Sequence, residues 1–326
     1  MKKIVFNTSV IILFILFFNP ISVYSQPTSI ETQTIENGSQ KNPIGADTNI
    51  QIKNNKIHIC YRQTISQNKH ILRYATTTIN KKNDWTFHTI SNNGTADHIS
   101  MIIDENNIPH ISYRKVINGM DYQLWYTTLS QNKWNTTIVD DEYMAGMFSS
   151  ITLDNTNKPH ISHHDGFLNT LKYSHWTGKK WQTITVDNKG LTGSDTSIKL
   201  DENDYPHITY YDKSNHNLKY ALKNESAWTM FTIDKATDVG TATTLKLDEN
   251  DLPHISYHEN KQNQLRYAYW NKTNWKVTII DENNAIYPQP NLQLDANNQP
   301  HIIYFNQINN SYNYTLKHAW EKSFNE

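Results

Sequence analysis

Pro206-His207-Ile208-Thr209-Tyr210-Tyr211-Asp212, with Leu218-Lys219-Tyr220-Ala221 behind it, decides the fold, because the chain writes this unit six times. The matching phrases are Ile57-His58-Ile59-Cys60-Tyr61, Pro109-His110-Ile111-Ser112-Tyr113, Pro159-His160-Ile161-Ser162-His163, Pro253-His254-Ile255-Ser256-Tyr257 and Pro300-His301-Ile302-Ile303-Tyr304. Their histidines are spaced 52, 50, 47, 47 and 47 residues apart. A second phrase follows each one: Leu72-Arg73-Tyr74, Leu124-Trp125-Tyr126, Leu171-Lys172-Tyr173, Leu218-Lys219-Tyr220, Leu265-Arg266-Tyr267 and Leu316-Lys317-His318. A third phrase opens at Trp85, Trp134, Trp181, Trp228 and Trp275. An alternating stretch such as Ser197-Ile198-Lys199-Leu200-Asp201 precedes each histidine.

Each unit therefore holds four short segments of period-two alternation, parted by Asn, Asp, Gly and Pro turns. Four strands per unit, repeated evenly around a ring, are the signature of an all-β, six-bladed β-propeller. The sixth unit runs out at Lys317-His318-Ala319-Trp320, too early for a fourth strand. Residues 30–36, Ile-Glu-Thr-Gln-Thr-Ile-Glu, read like 228–234 and are expected to complete that last blade. Such closure removes the unpaired sheet edges that invite aggregation.

Lys2 and Lys3, the apolar run from Val10 to Phe18 and Val23-Tyr24-Ser25 have the order of a signal peptide, 1–25, cleaved before Gln26. The run is too short to cross a hydrocarbon layer of about 30 Å. The expectation is a secreted or periplasmic chain, residues 26–326, forming one propeller domain with no membrane contact after cleavage. A formal net charge of −1 gives no electrostatic case for nucleic acid. Cys60 stands alone, so the core rather than a disulfide framework must hold the fold.

The repeated residues read first as structure. The Asp/Asn clusters before each Pro-His, as in 201–205, are turns whose side chains bond their own backbone, and they lack the spacing of a calcium loop. One His per blade lies too far from its symmetry mates to share an ion and suits a buried polar contact instead. Cys60 takes a Ser/Thr slot as a small core residue, and the five Trp are packing between blades. No cofactor and no metal is expected.

Strand alternation defines two faces, one of monotonous turns. The other carries the loops between second and third strands and between blades, and it varies. Along its rim stand Arg62-Gln63, Arg114-Lys115, His163-His164-Asp165, Tyr211-Asp212, His258-Glu259 and Phe305-Asn306. The interblade loops add Asp140-Asp141-Glu142-Tyr143, Asp195, Asp238 and Tyr287. The repeat of aromatic and polar groups suits a binding module for a glycan or a cell-surface ligand, with Arg62, Arg114, Tyr143, Asp165, Asp212, His258 and Glu259 as binding residues. The alternative is a polysaccharide-degrading enzyme. A uronate lyase would use Arg62 or Arg114 as the cation, His163 or His164 as base and Tyr211 as acid. A glycoside hydrolase would draw on Asp165, Asp212 and Glu259.

The phrase at 206–212 with Leu218-Lys219-Tyr220-Ala221 resembles a repeat of secreted bacterial β-propeller proteins, within the sialidase-like and lectin-like propellers. The resemblance spans the mature chain. It implies the fold and hardly any activity, and the Ser-x-Asp-x-Gly-x-x-Trp box of sialidases is absent, so no catalytic residue carries over.

Overall fold

The computed structural model describes residues 35–36 and 44–320, apart from 67–68, 80, 82–83, 92–94, 120, 226, 283–284, 287–289 and 308–313. The expected signal peptide lies outside these residues. Among the described residues all regular structure is β-strand, in six antiparallel four-stranded sheets. The protein is a six-bladed β-propeller. Blade four shows the unit, from the inside outward: Thr192–Leu200, Pro206–Asp212, Asn217–Lys223 and Trp228–Asp234. The innermost strands of successive blades touch one another; they are Ile44–Lys53, Thr95–Ile103, Met147–Leu153, Thr192–Leu200, Val239–Leu247 and Asn291–Leu294. In blade six the inner strand is split into Ala285–Ile286 and Asn291–Leu294, both paired with Pro300–Gln307, and Tyr314–Trp320 pairs on its other edge.

The core lies between blades. Leu171, Tyr173 and Val186 of blade three interlock with Ile198, Ile208, Tyr210 and Ala221 of blade four, and the next pair of blades repeats the arrangement one period later. Each such Leu or Ile, fully buried, contributes about 1.5–3 kcal/mol relative to exposure. Gly193 and Gly240 mark where a strand start presses on the preceding blade. Their φ values are +94° and +110°, and a Cβ there would meet the Leu171 and Leu218 Cα atoms at 2.6 and 2.7 Å. The outer-strand Trp residues pack as the sequence suggests. Trp134, Trp181, Trp228 and Trp275 stand edge-on to Tyr74, Tyr126, Tyr173 and Tyr220 of the preceding blade, with centroids 5.2–5.3 Å apart.

The His of each blade is a structural bridge. Nδ1 bonds the third-strand tyrosine hydroxyl at 2.5–2.6 Å in His58–Tyr74, His110–Tyr126, His160–Tyr173 and His254–Tyr267, and His207 pairs with Tyr220 in the same way. In blades two to six its Nε2 faces the turn carboxylate, as in His207–Asp201 at 3.6 Å, whereas the blade-one turn, Asn54-Asn55, supplies no carboxylate. The other oxygen of Asp201 accepts the Asn203 and Tyr205 N–H groups at 2.9 and 2.8 Å, which fixes the turn. In blade six His318 replaces the tyrosine, 3.0 Å from His301.

An ionic clamp joins blade to blade. The carboxylate ending one outer strand accepts a hydroxyl from the second strand of the next blade and pairs with a cation on its third. Asp234 meets Tyr257 at 2.7 Å and Arg266 at 2.9 Å. Asp281 meets Tyr304 at 2.7 Å and Lys317 at 2.8 Å. Asp187 meets Tyr210 at 2.7 Å and, closely, Lys219. Between blades one and two the pattern is neutral, with Ser91 in the carboxylate position and Trp125 in the cation position.

The pairing of the expected closing strand, residues 30–36, lies outside the described residues, except that Ile35 and Glu36 are seen. Glu36 holds the clamp of blade one: it accepts the Tyr61 hydroxyl and the Arg73 guanidinium, the latter at 3.0 Å. That is the role taken elsewhere by the last residue of an outer strand. Asp187→Ala takes the acceptor from the buried Tyr210 hydroxyl and leaves Lys219 only the Asp212 carboxylate at 3.9 Å, and is expected to cost about 3–5 kcal/mol. Glu36→Ala, at a more open pair, is expected to cost about 1–2 kcal/mol. Urea unfolding midpoints check both, and a Glu36 variant as stable as the parent would remove this residue from the clamp.

Candidate functional site

The varied face is built on a ring of β-bulges. In each of the first five blades the inner strand slips its register against the second strand, once in blades two and three and twice in blades one, four and five. There Asp47, His98, Phe148, Asp195 and Ala242 adopt φ of 48–53°. Left-handed backbone costs a Phe or an Ala of order 1 kcal/mol or more. Interblade hydrogen bonds offset it: Ser149 Oγ donates to the His98 carbonyl at 2.7 Å, and Thr196 Oγ1 to that of Phe148 at 3.0 Å. Bulges of this kind re-aim side chains at a rim.

Opposite each third-strand Leu stands one rim residue: Arg62, Arg114, His164, Tyr211, His258 and Phe305. They lie on six different blades, and the structure ties five of them to named partners. Arg62 pairs with Asp47 at 3.2 Å. Arg114 grips Asp97 with two bonds of 2.6 Å and lies 4.2 Å over the Tyr122 ring. Both arginines are thus already neutralised. His164 is buried, and its Nδ1 sits 2.9 Å from the Thr192 carbonyl. That contact makes Nδ1 the donor and leaves Nε2 as the acceptor. Burial lowers its pKa, so the ring is neutral. Tyr211 donates to Asp238 and lies 3.0 Å from His216 Nδ1, which is itself 3.1 Å from Asp238. His258 is half-buried and 3.1 Å from the Asn260 side chain.

The remaining candidates have structural partners. His163 takes the clamp tyrosine's place; it is fully buried, 3.6 Å from Asp140 and 3.1 Å from Ser174. Burial, reinforced by the Lys172 charge, lowers its pKa to about 3. Asp165, Asp212 and Glu259 are equivalent and cap the turn after the second strand. Asp165 accepts the Phe167 and Leu168 N–H groups at 3.0 and 2.8 Å and pairs with Lys172 at 3.0 Å. Asp212 accepts those of Ser214 and Asn215 at 3.1 and 3.2 Å, and Glu259 those of Lys261 and Gln262 at 3.1 and 2.6 Å. Tyr287 lies outside the described residues.

The loops of this face are stitched in pairs by backbone bonds of one pattern: Gly166 N to Met144 O, Lys213 N to Leu191 O, and Asn260 N to Asp238 O, at 2.8–2.9 Å. On the first stitch an aromatic pair stands in solvent. Tyr143 and Phe167 meet edge-on at 5.5 Å while 43% and 63% exposed, beside Leu168 at 55%. Sequence reading picks out Tyr143 and misses Phe167. The equivalent residues Ser214 and Lys261 are polar, and that departure from the repeat is the signal that would have found it. Two cavities, of about 240 and 230 Å3, sit elsewhere, lined by residues of blades five and six such as Tyr267 and Pro300.

No family model matches the chain, and no curated protein matches it. Solved structures do. A protein of unknown function from Dyadobacter fermentans superposes with a TM-score of 0.60 at 9% identity, covering 87% of this chain and 95% of that one. AofleA from Arthrobotrys oligospora gives 0.56 at 10% identity, covering 88% and 90%. A Hadza microbial sialidase gives 0.52 at 9% identity, covering 79% of this chain and 63% of its own. At these identities the likeness is one of fold.

The buried histidines are expected to make the protein acid-labile. Burial lowers the pKa of His58 and His160 to about 4, and lowers those of His110, His164, His207 and His254. The unfolded chain titrates near 6.5, so it binds more protons than the native state below that pH. This stabilising contribution is complete above pH 6.5 and is lost as pH falls toward 4. The urea midpoint at pH 4.5 is expected at roughly half its value at pH 7.5 or less. A flat profile across that window would show the imidazoles to be exposed.

Proposed function

We propose that the chain is an exported carbohydrate-binding propeller whose ligand lies on the interblade loop face at blade three. The exposed Tyr143–Phe167 pair carries this reading. Exposed aromatic surface held by a rigid turn offers a stacking platform for the apolar face of a sugar ring, at little entropic cost. Apolar residues concentrated on a varied face mark an interaction site more than solvated decoration does. Tyr211, His216 and Asp238, on the same face in the next blade, supply hydrogen-bonding groups of the kind that orient hydroxyls. The sialidase among the fold neighbours acts on carbohydrate, as its name says, which agrees in class.

The lyase alternative draws on His164, a neutral imidazole with a free acceptor nitrogen, and on the Tyr211 phenol. Its weak point is the cation, since Arg62 and Arg114 each already hold a carboxylate. Binding is therefore the better supported reading. In a panel of soluble polysaccharides, the parent is expected to bind at least one without turnover. Phe167→Ala or Tyr143→Ala should weaken that binding about tenfold, or about 1.4 kcal/mol, with an unchanged melting temperature. Silence of the parent across the panel, or undiminished binding by both variants, would reject the site. Unsaturated products from a uronate polymer, abolished by His164→Ala, would establish the lyase instead. Export predicts a mature N-terminus at Gln26, which Edman or mass-spectrometric sequencing of culture supernatant reads directly.

A further inference from the structure

Six residues occupy one tier of the innermost strands, each directly opposite the His of its blade. They are Gln51, Ile102, Thr152, Lys199, Lys246 and Gln293. The innermost strands surround the axis, so this tier borders the central channel. Two adjacent blades, four and five, both place a lysine there, and the other four members of the tier carry no charge. Both lysines are only partly exposed.

Seven other partly buried cations are paired with carboxylates, while Lys115, which burial also depresses, lies 4.2 Å over the Trp125 ring. Arg62, Arg73, Arg114, Lys172, Lys219, Arg266 and Lys317 each have a carboxylate within 4 Å. Among the described residues Lys199 and Lys246 have no ion pair. Asp195, the acidic residue four positions earlier on the blade-four strand, is engaged by the Ala242 N–H. Burial depresses both ammonium groups, and the charge of Lys246 adds to the effect at Lys199, which falls to about 8. Two like charges on one tier, partly withdrawn from water and with no ion-pair partner among the described residues, are costly unless something else neutralises them.

We propose that Lys199 and Lys246 hold a small oxyanion, phosphate or sulfate, in the central channel. A divalent tetrahedral anion balances both charges and presents acceptor oxygens to two ammonium groups at once. This site is independent of the carbohydrate reading, since it lies on the inner strands at the His tier and shares no residue with the blade-three loops.

The test is thermal unfolding at pH 7 with sodium phosphate or sodium sulfate exchanged for chloride at constant ionic strength, with isothermal titration of inorganic phosphate alongside. A specific site gives a melting temperature that rises with anion and saturates, because ligand bound only by the native state stabilises by mass action. General exclusion of sulfate gives a non-saturating rise common to any variant. The parent should show the saturating response and one phosphate per chain. Lys199→Gln/Lys246→Gln should lose it, with affinity down at least tenfold, while melting no lower than the parent in chloride because the repulsion is gone. If the double variant folds poorly, Lys246→Gln against Lys246→Arg gives the same contrast, with binding weakened in the first and kept in the second. Absence of saturable binding by the parent, or equal binding by parent and charge-removed variant, overturns the proposal.

Discussion

The carboxylate at the end of an outer strand is the interaction on which this ring depends. A propeller blade is held along its own strands by hydrogen bonds, yet nothing in that ladder fixes one blade's angle to the next. Apolar packing between blades supplies most of the attraction and is non-directional. The clamp adds direction: Asp187, Asp234 and Asp281 each reach across to a tyrosine hydroxyl and a cation of the following blade. The exception between blades one and two is instructive. Ser91 and Trp125 replace the carboxylate and the cation together, so neither charge is left buried alone. Lys115 then lies 4.2 Å over the Trp125 ring.

A second theme is how completely the repeated polar groups are occupied by architecture. The His of blades two to five bridges a tyrosine and a turn carboxylate. Asp165, Asp212 and Glu259 close the turns above it, and His163 fills a tyrosine's position. Once these are assigned, the side chains free to meet a ligand are those that break the repeat. Phe167 stands where other blades have Ser214 and Lys261, and Tyr211 joins His216 and Asp238 into a polar cluster of its own. Recognition on a repeat scaffold is written in such departures, since whatever recurs in every blade is already engaged in holding the ring.

Much of the fold was legible in the sequence, because period-two alternation and a spacing near 47 residues are properties of the chain itself. The structural roles of the His ring, the turn aspartates and the Trp residues followed from the same repetition. The site was less legible. His163, Asp165, Asp212 and Glu259 are residues of catalytic type in a varied stretch, and only their partners reveal that they are buried and capping. The clamp joins residues more than twenty positions apart on different blades, which no local pattern exposes. The bulges were hidden for another reason. Phe148 and Ala242 have no preference for a left-handed backbone, and tertiary bonds from the neighbouring blade hold them there.

The stitches between loops of adjacent blades run from a backbone N–H to a backbone carbonyl and involve no side chain. The three described therefore tolerate glycine, lysine or asparagine as donor and methionine, leucine or aspartate as acceptor. Loop chemistry is in this way decoupled from loop position. A new specificity can be drafted on this face residue by residue while the frame beneath it stays in register.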